Sequence, residues 1–244
     1  MPALLYAIGD IHGQLDALNH ALELIERDGG PDARIVFLGD YVDRGPDCAG
    51  VIARLIQGRN AGRPWTFLKG NHDRMFEWFL EDTPRHDPHL LIGYHWFHDR
   101  IGGVETLASY GVKVPPQTRL EDVHKAARTA IPTEHIAFLR GLELSHTTHD
   151  LFLVHAGIRP GVALQAQQER DLVWIREPFL SDPRPHPRLI VHGHTALEHP
   201  QHFGNRIDLD GGAGFGRPLH PAVFEGRDCW LLTNNGRVPL TPLR

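Results

Sequence analysis

The chain reads as an α/β protein whose sheet core is interrupted by a mostly helical stretch at about residues 74–146. Three observations predict this. In the first third, apolar runs of strand length alternate with helical periodicity, and each run ends in a short polar cluster. The middle third keeps the helical period and lacks such clusters. After Leu151 the short apolar runs return. Repeated strand, polar turn and helix is the pattern of a parallel sheet, whose strand ends gather whatever the turns carry. At 244 residues the chain is long enough for one large domain, and residues 1–244 are read as one.

Element by element, Ala3–Ile8 is an apolar run ending in Gly9-Asp10, and Leu15, Leu18, Leu22 and Ile25 then recur at helical spacing. Arg34–Leu38 is again strand-like, ends in Gly39-Asp40, and precedes a helix expected from about Asp47 to Gln57. Trp65–Leu68 is a third strand, leading into Lys69-Gly70-Asn71-His72. Helical patterns follow at Met75–Leu80, Gly102–Tyr110 and Glu121–Arg128, punctuated by Pro115, Pro116 and Pro132. Strand patterns resume at Leu151–Val154, Leu189–Val191, Arg206–Leu209, Ala222–Phe224 and Trp230–Leu232. The last of these are too close together for intervening helices and should pair antiparallel. Asp210–Gly216 holds four glycines and must be a turn or tight loop.

Composition narrows the function classes. A formal net charge of −5 lacks the basic excess of a nucleic-acid or membrane-surface binder. No apolar run approaches the roughly 20 residues that cross a bilayer. Cys48 and Cys229 form neither a disulfide framework nor a CxxC pair. With a strand pattern starting at Ala3 in place of a signal segment, the expectation is a cytoplasmic protein. Most of the 18 histidines, including His86, His89, His95, His98, His124, His135, His146 and His149, lack ligand spacing and read as surface or structural residues.

The chemistry sits in the polar clusters. In GDIHG (9–13), Asp10 and His12 are two apart; read as extended residues they point to one side and can share a metal, although such a pair alone is common. In GDYVDRG (39–45), Asp40 stands where Asp10 stands relative to its strand, and a carboxylate can bridge two cations. Arg44 presents a planar fork suited to phosphate oxygens. In GNHD (70–73), Asn71 offers a carbonyl oxygen, while His72, read as an extended neighbour pointing the other way, is free to act as a general acid with Asp43 orienting its other nitrogen. A capped turn is the competing reading of that motif. His155 in LFLVHAG adds an imidazole, and HGHT (192–195) contains two histidines of which only one need be a ligand.

In this order the clusters resemble those of the calcineurin-like metallophosphoesterases, and GDYVDRG with GNHD is similar to the phosphoprotein phosphatases, above all the compact bacterial and phage serine/threonine phosphatases. The resemblance spans nearly the whole chain apart from the helical segment. It implies a four-layer fold, a central β-sandwich flanked by helices, around two divalent metal ions, usually manganese in bacterial members, with iron, zinc or nickel as alternatives. It implies Asp10 and His12 as ligands of one metal, Asp40 as the bridge, and Asn71, His155 and His194 as ligands of the other, since the family's last histidine lies in a GHT pattern; His192 becomes a neighbour. Asp43 and His72 match the catalytic pair, Arg44 a phosphate-binding arginine, and Arg176, in Trp174-Ile175-Arg176-Glu177, a second one. Asp73 stands where eukaryotic members usually carry glutamate.

The expected function is therefore phosphomonoester hydrolysis by in-line attack of a hydroxide shared by two cations, with a phosphoprotein or small phosphoester as substrate. Symmetrical dinucleoside tetraphosphate hydrolases share the metal motifs but usually lack the DRG aspartate, whereas this chain has Asp43. A non-catalytic scaffold is disfavoured because every motif ligand is retained, and a nuclease because no basic stripe is present.

Overall fold

A computed structural model describes residues 4–243; Ala3, where the first strand pattern begins, lies outside the described residues. The first half runs β1 (Leu5–Ile8), α1 (Leu15–Gly29), β2 (Ile35–Phe37), α2 (Cys48–Asn60), β3 (Trp65–Phe67) and α3 (Asn71–Phe79). Then come α4 (Gly103–Ser109), α5 (Leu120–Ala130) and α6 (Thr133–Arg140). The second half runs β4 (Ser145–Thr147), β5 (Leu151–Val154), α7 (Glu169–Trp174), β6 (Leu189–His192), β7 (Gln201–His202), β8 (Arg206–Asp208), β9 (Ala222–Glu225), β10 (Asp228–Thr233) and β11 (Gly236–Pro239).

These strands make two sheets. One is six-stranded, ordered β11-β10-β9-β1-β2-β3, and the other five-stranded, ordered β4-β5-β6-β8-β7. β1, β2 and β3 are parallel to one another, as are β5, β6 and β8. Side chains alternate across each strand and so decide the layers. Leu5, Ala7, Val36 and Leu38 meet Leu151, Leu153, Leu189, Val191 and Ile207 between the sheets. Tyr6, Ile8, Ile35 and Phe37 face the other way, onto α1, α2 and the helical segment. On the far side, Phe152, Val154 and Ile190 pack with Leu172 and Ile175. Helix, sheet, sheet and helix are the four layers that the motif order implied. Each large apolar side chain buried there contributes about 1.5–3 kcal/mol.

The helices begin and end for local reasons. On α1 the buried Leu18, Ala21, Leu22 and Ile25 form one stripe at the 3.6-residue period. At the start of α2, Asp47 accepts the Gly50 N–H at 2.7 Å, a side-chain cap.

Several expectations need correction. β9 and β10 do pair antiparallel, but β8 lies parallel to β6, because the two-residue β7 lets the chain double back first. The segment at 74–146 is less helical than its pattern: from Leu80 to Gly102 it runs through turns. Helices α6 and α7 and strands β4, β7 and β11 are short or polar, and their local patterns did not announce them.

Candidate active site

Every motif that carries an expected metal ligand sits just past the carboxyl end of a parallel strand, and the two sheets aim those ends at one place. Asp10 follows β1, Asp40 follows β2, Asn71 and His72 open α3 after β3, His155 follows β5, and His194 follows β6. The switch from strand to turn there is sharp. Among the described residues, five of the six non-glycine residues with positive φ are His12, Asp40, Asp43, Arg44 and His194. Left-handed backbone is costly for side-chained residues and collects at functional sites. Two motif glycines follow from the crowding: a Cβ on Gly70 would lie 2.0 Å from Asp40 Oδ1, and one on Gly193 2.1 Å from Asp10 Oδ1.

Asp40 is central. Its Oδ2 lies 3.7 Å from His12 Nε2, 3.4 Å from His155 Nε2 and 4.0 Å from His72 Nε2, while its Oδ1 accepts the His72 backbone N–H at 2.9 Å. Two sets of donor atoms, each within 4.8 Å, share it: His12, Asp40 and His72, and Asp40, His155 and His194. Asp10 Oδ2 is 3.9 Å from His12 Nε2, and the Asp10 carboxylate accepts the His194 N–H at 3.0 and 3.2 Å.

The donor chemistry fits divalent cations. Burial pushes His12, His72 and His194 well below the ordinary imidazole range and His155 to about 3, so these rings are neutral. His12 and His155 give Nδ1–H to the carbonyls of Val42 and Leu38, which leaves Nε2 as an electron-pair donor. His155 Nε2 then faces Asn71 Oδ1 at 3.0 Å and Asp40 Oδ2 at 3.4 Å: acceptors meet acceptors, a conflict a cation resolves. His194 Nε2 is buried without a hydrogen-bond partner. Burial, reinforced by neighbouring Asp210 for Asp10 and Asp73 for Asp40, pushes both carboxyls well above their usual range, a cost that positive charge offsets.

Beside this lies a proton-transfer arrangement. His72 Nδ1 and Asp43 Oδ2 are 2.6 Å apart. Asp43 is fully buried and held by Thr106 Oγ1 (2.6 Å) and the Trp96 indole N–H (3.0 and 3.1 Å). Burial pushes its carboxyl up to about 7 against those donors and the Arg44 charge. Arg44 spans the two halves, with Nη1 2.8 Å from His12 Nε2 and Nη2 3.1 Å from His72 Nε2. A cavity of about 400 Å³ opens here, lined by Asp40, Arg44, Asn71, His72, Arg176 and His194 and continued outward by Leu90, Tyr94, Arg100 and Trp174.

Residues 4–210 match the family model for calcineurin-like phosphoesterases. The chain belongs to that family. It is a metal-dependent phosphoesterase, and two-metal sites are typical of such enzymes. It is 29% identical over 223 residues to serine/threonine-protein phosphatase 1 of Salmonella typhimurium, covering 88% of each chain. It is 27% identical over 235 residues to an asymmetrical bis(5'-nucleosyl)-tetraphosphatase of Bacillus velezensis, covering 87% of this chain and 85% of that one. A symmetrical bis(5'-nucleosyl)-tetraphosphatase of an Acidovorax species is 32% identical over 160 residues, 64% of this chain and 44% of the relative. Among solved structures, the cold-active protein-tyrosine phosphatase of a Shewanella species superposes with a TM-score of 0.64 at 18% identity, covering 99% and 81% of the two chains, a likeness of fold.

In this phosphoesterase all ten motif residues singled out from the sequence gather at one site, but three are placed there for reasons other than strand alternation. His12 has φ 47°, so a left-handed turn, not an extended Asp-x-His pair, brings it toward Asp10. Asn71 and His72 are the first residues of α3, and they diverge because helical neighbours are about 100° apart. His192 turns away: its Nε2 meets Arg206 Nη1 at 3.1 Å.

Other residues of the site carried no recognisable signal. Thr106 and Trp96, which hold Asp43, come from the middle third of the chain. His89, read as a surface or structural histidine, lines the cavity. Asp73 is the anchor of the phosphoesterase motifs: its carboxylate accepts the N–H groups of Asp40 (2.7 Å), Tyr41 (2.9 Å) and Gly70 (2.9 Å). Its place in GNHD was the available clue. Asp73→Ala leaves three buried donors unpaired, each worth about 1–3 kcal/mol. Chemical denaturation is expected to find the variant at least roughly 3 kcal/mol less stable; a change under about 1 kcal/mol overturns the anchoring role.

Proposed function

We propose that the protein is a serine/threonine phosphatase of the compact bacterial type, acting as a single cytoplasmic domain on phosphoproteins. The observation that carries this reading is the 2.6 Å contact between His72 and the DRG aspartate Asp43. The symmetrical tetraphosphatases that the chain otherwise resembles usually lack that aspartate. The two cysteines are buried and unpaired, which supports a reducing compartment.

In this reading Asp10, His12 and Asp40 would hold one divalent cation and Asp40, Asn71, His155 and His194 the other, with manganese the expected metal. When bound, the pair supplies Lewis acidity and a water ionised near neutral pH. Arg44 and Arg176 bind the phosphoryl oxygens, and Arg44, which lies between His12 and His72, also neutralises charge as it develops. His12 Nε2 has one electron pair and cannot both accept from Arg44 and ligate a cation; as a ligand it would leave the Arg44 fork free for the phosphate. Burial favours the neutral His72 ring, so the ring takes up a proton together with the anionic substrate; Asp43, accepting at Nδ1, stabilises the charged ring until Nε2 gives that proton to the leaving oxygen.

Dinucleoside tetraphosphate hydrolysis is the second reading, favoured by the names of the Bacillus and Acidovorax relatives. The test measures kcat/KM with manganese for a phosphoserine or phosphothreonine peptide and for diadenosine tetraphosphate. We expect the peptide to be preferred; the reverse order selects the tetraphosphatase reading.

A further inference from the structure

Outside the motifs, the most heavily bonded buried charge is Asp87, which lies in the irregular run after α3 and is 2% exposed. Its Oδ2 accepts Arg74 Nε (3.1 Å), Arg74 Nη2 (2.7 Å) and the Trp174 indole N–H (3.0 Å). Its Oδ1 accepts the His89 backbone N–H at 3.0 Å and faces His89 Nδ1 at 3.1 Å. Burial opposes its ionisation, but the His89 N–H, the Arg74 charge and the Trp174 N–H outweigh it, so the carboxyl is held below its usual range.

Two of these three donor residues, His89 and Trp174, line the active-site cavity, and the third lies on a helix that opens with site residues. Arg74 is two residues after His72 on α3, the helix that opens with Asn71. Trp174 ends α7 two residues before Arg176. His89 and Trp174 both line the cavity and stack, with ring centroids 5.9 Å apart and planes 16° from parallel. One carboxylate thus ties the helix that bears His72 to the segment that bears Arg176, across the opening between the two sheets' strand ends.

Arg176 needs such a tether. It is exposed, and among the described residues its side chain makes one hydrogen bond, a long one of 3.5 Å from Nη2 to the His194 carbonyl. Its reach is therefore set by the backbone it leaves, and that backbone is pinned by Trp174 on one side of Ile175. A chain of ion pair, indole and backbone is stiff where a free arginine is not. Holding a phosphate-binding group in place before substrate arrives removes an ordering cost from binding.

We propose that Asp87 is a positioning residue that acts through Trp174 to aim Arg176 at the substrate phosphate, so that it governs phosphate affinity and leaves proton transfer at His72 alone. This rests on the reading of Arg176 as a phosphate-binding residue.

The test is a cycle on kcat and KM for p-nitrophenyl phosphate with manganese, together with competitive inhibition by inorganic phosphate, using Asp87→Asn, Trp174→Phe and Arg176→Ala. Trp174→Phe keeps the Arg74–Asp87 pair and removes the indole N–H, so it reports the tether even where Asp87→Asn loosens the fold. The expected result for each tether variant is KM and the phosphate inhibition constant raised about tenfold with kcat changed less than about twofold. In the Arg176→Ala background either substitution should add almost nothing, because the residue being aimed is gone. Full multiplication of the two losses, or a fall in kcat with KM unmoved, overturns the positioning role while leaving Arg176 as it was. An Arg176→Ala enzyme with unchanged KM and phosphate inhibition overturns the reading of Arg176, and Asp87 with it.

Discussion

Asp40→Asn is expected to abolish the paired metals and to lower turnover by at least roughly 10⁴-fold, beyond the cost of losing one proton donor. Asp40 is the residue common to both donor sets, with imidazole nitrogens of His12 and His155 at 3.7 and 3.4 Å from one oxygen. Asparagine keeps the volume and an acceptor for the His72 N–H, but a neutral amide has no charge to divide between two cations. Elemental analysis after loading with manganese should fall below the wild-type stoichiometry; a fully loaded, active variant sinks the bridging assignment. Unfolding is separable from this. The folded Asp40 carboxyl lies well above its usual range, burial first and Asp73 second. A folded-state pKa raised in this way costs stability as pH rises through it. After chelation, then, Asp40→Asn should be at least as stable at neutral pH as the chelated parent.

His72→Asn should lower kcat by about 10²–10⁴-fold with metal content retained. The amide can still donate to Asp43 from near the Nδ1 position, so the buried carboxylate keeps a partner. What disappears is the proton at Nε2. The loss should be larger for a phosphoserine peptide, whose alkoxide leaves poorly, than for p-nitrophenyl phosphate, whose phenolate needs little help. Equal losses on both substrates remove the general acid. Loss of metal instead moves His72 into the ligand shell, where its Nε2, 4.0 Å from Asp40 Oδ2, is near enough to belong.

The residues assigned to the chemistry were legible because their signals are local. A strand that ends in Gly-Asp or Gly-Asn-His carries its ligand at the carboxyl end, and alternation along Leu5–Ile8 or Leu151–Val154 tells which side chains enter the sandwich. The residues that hold the chemistry in place were not legible. Asp87 in a run of prolines and histidines, Trp96 and Thr106 in the middle third, and His89 among seven other plain histidines have no period or spacing that separates them from surface residues. Their roles arise from partners far along the chain: Thr106 is 63 residues from Asp43, and Trp174 is 87 from Asp87.

By itself the sequence determined the reaction class through the order of its motifs and their family resemblance, and through residue identity at short range it singled out the ten residues that gather at the site and the alternating faces of the sheets. Tertiary structure alone decided that His12 reaches the site through a left-handed turn, that β8 joins β6 in parallel, and that Asp73 and Asp87 anchor its two sides. The physical reason is that a buried carboxylate is stable only where enough donors converge on it, and which donors converge is settled by how the sheets and helices pack.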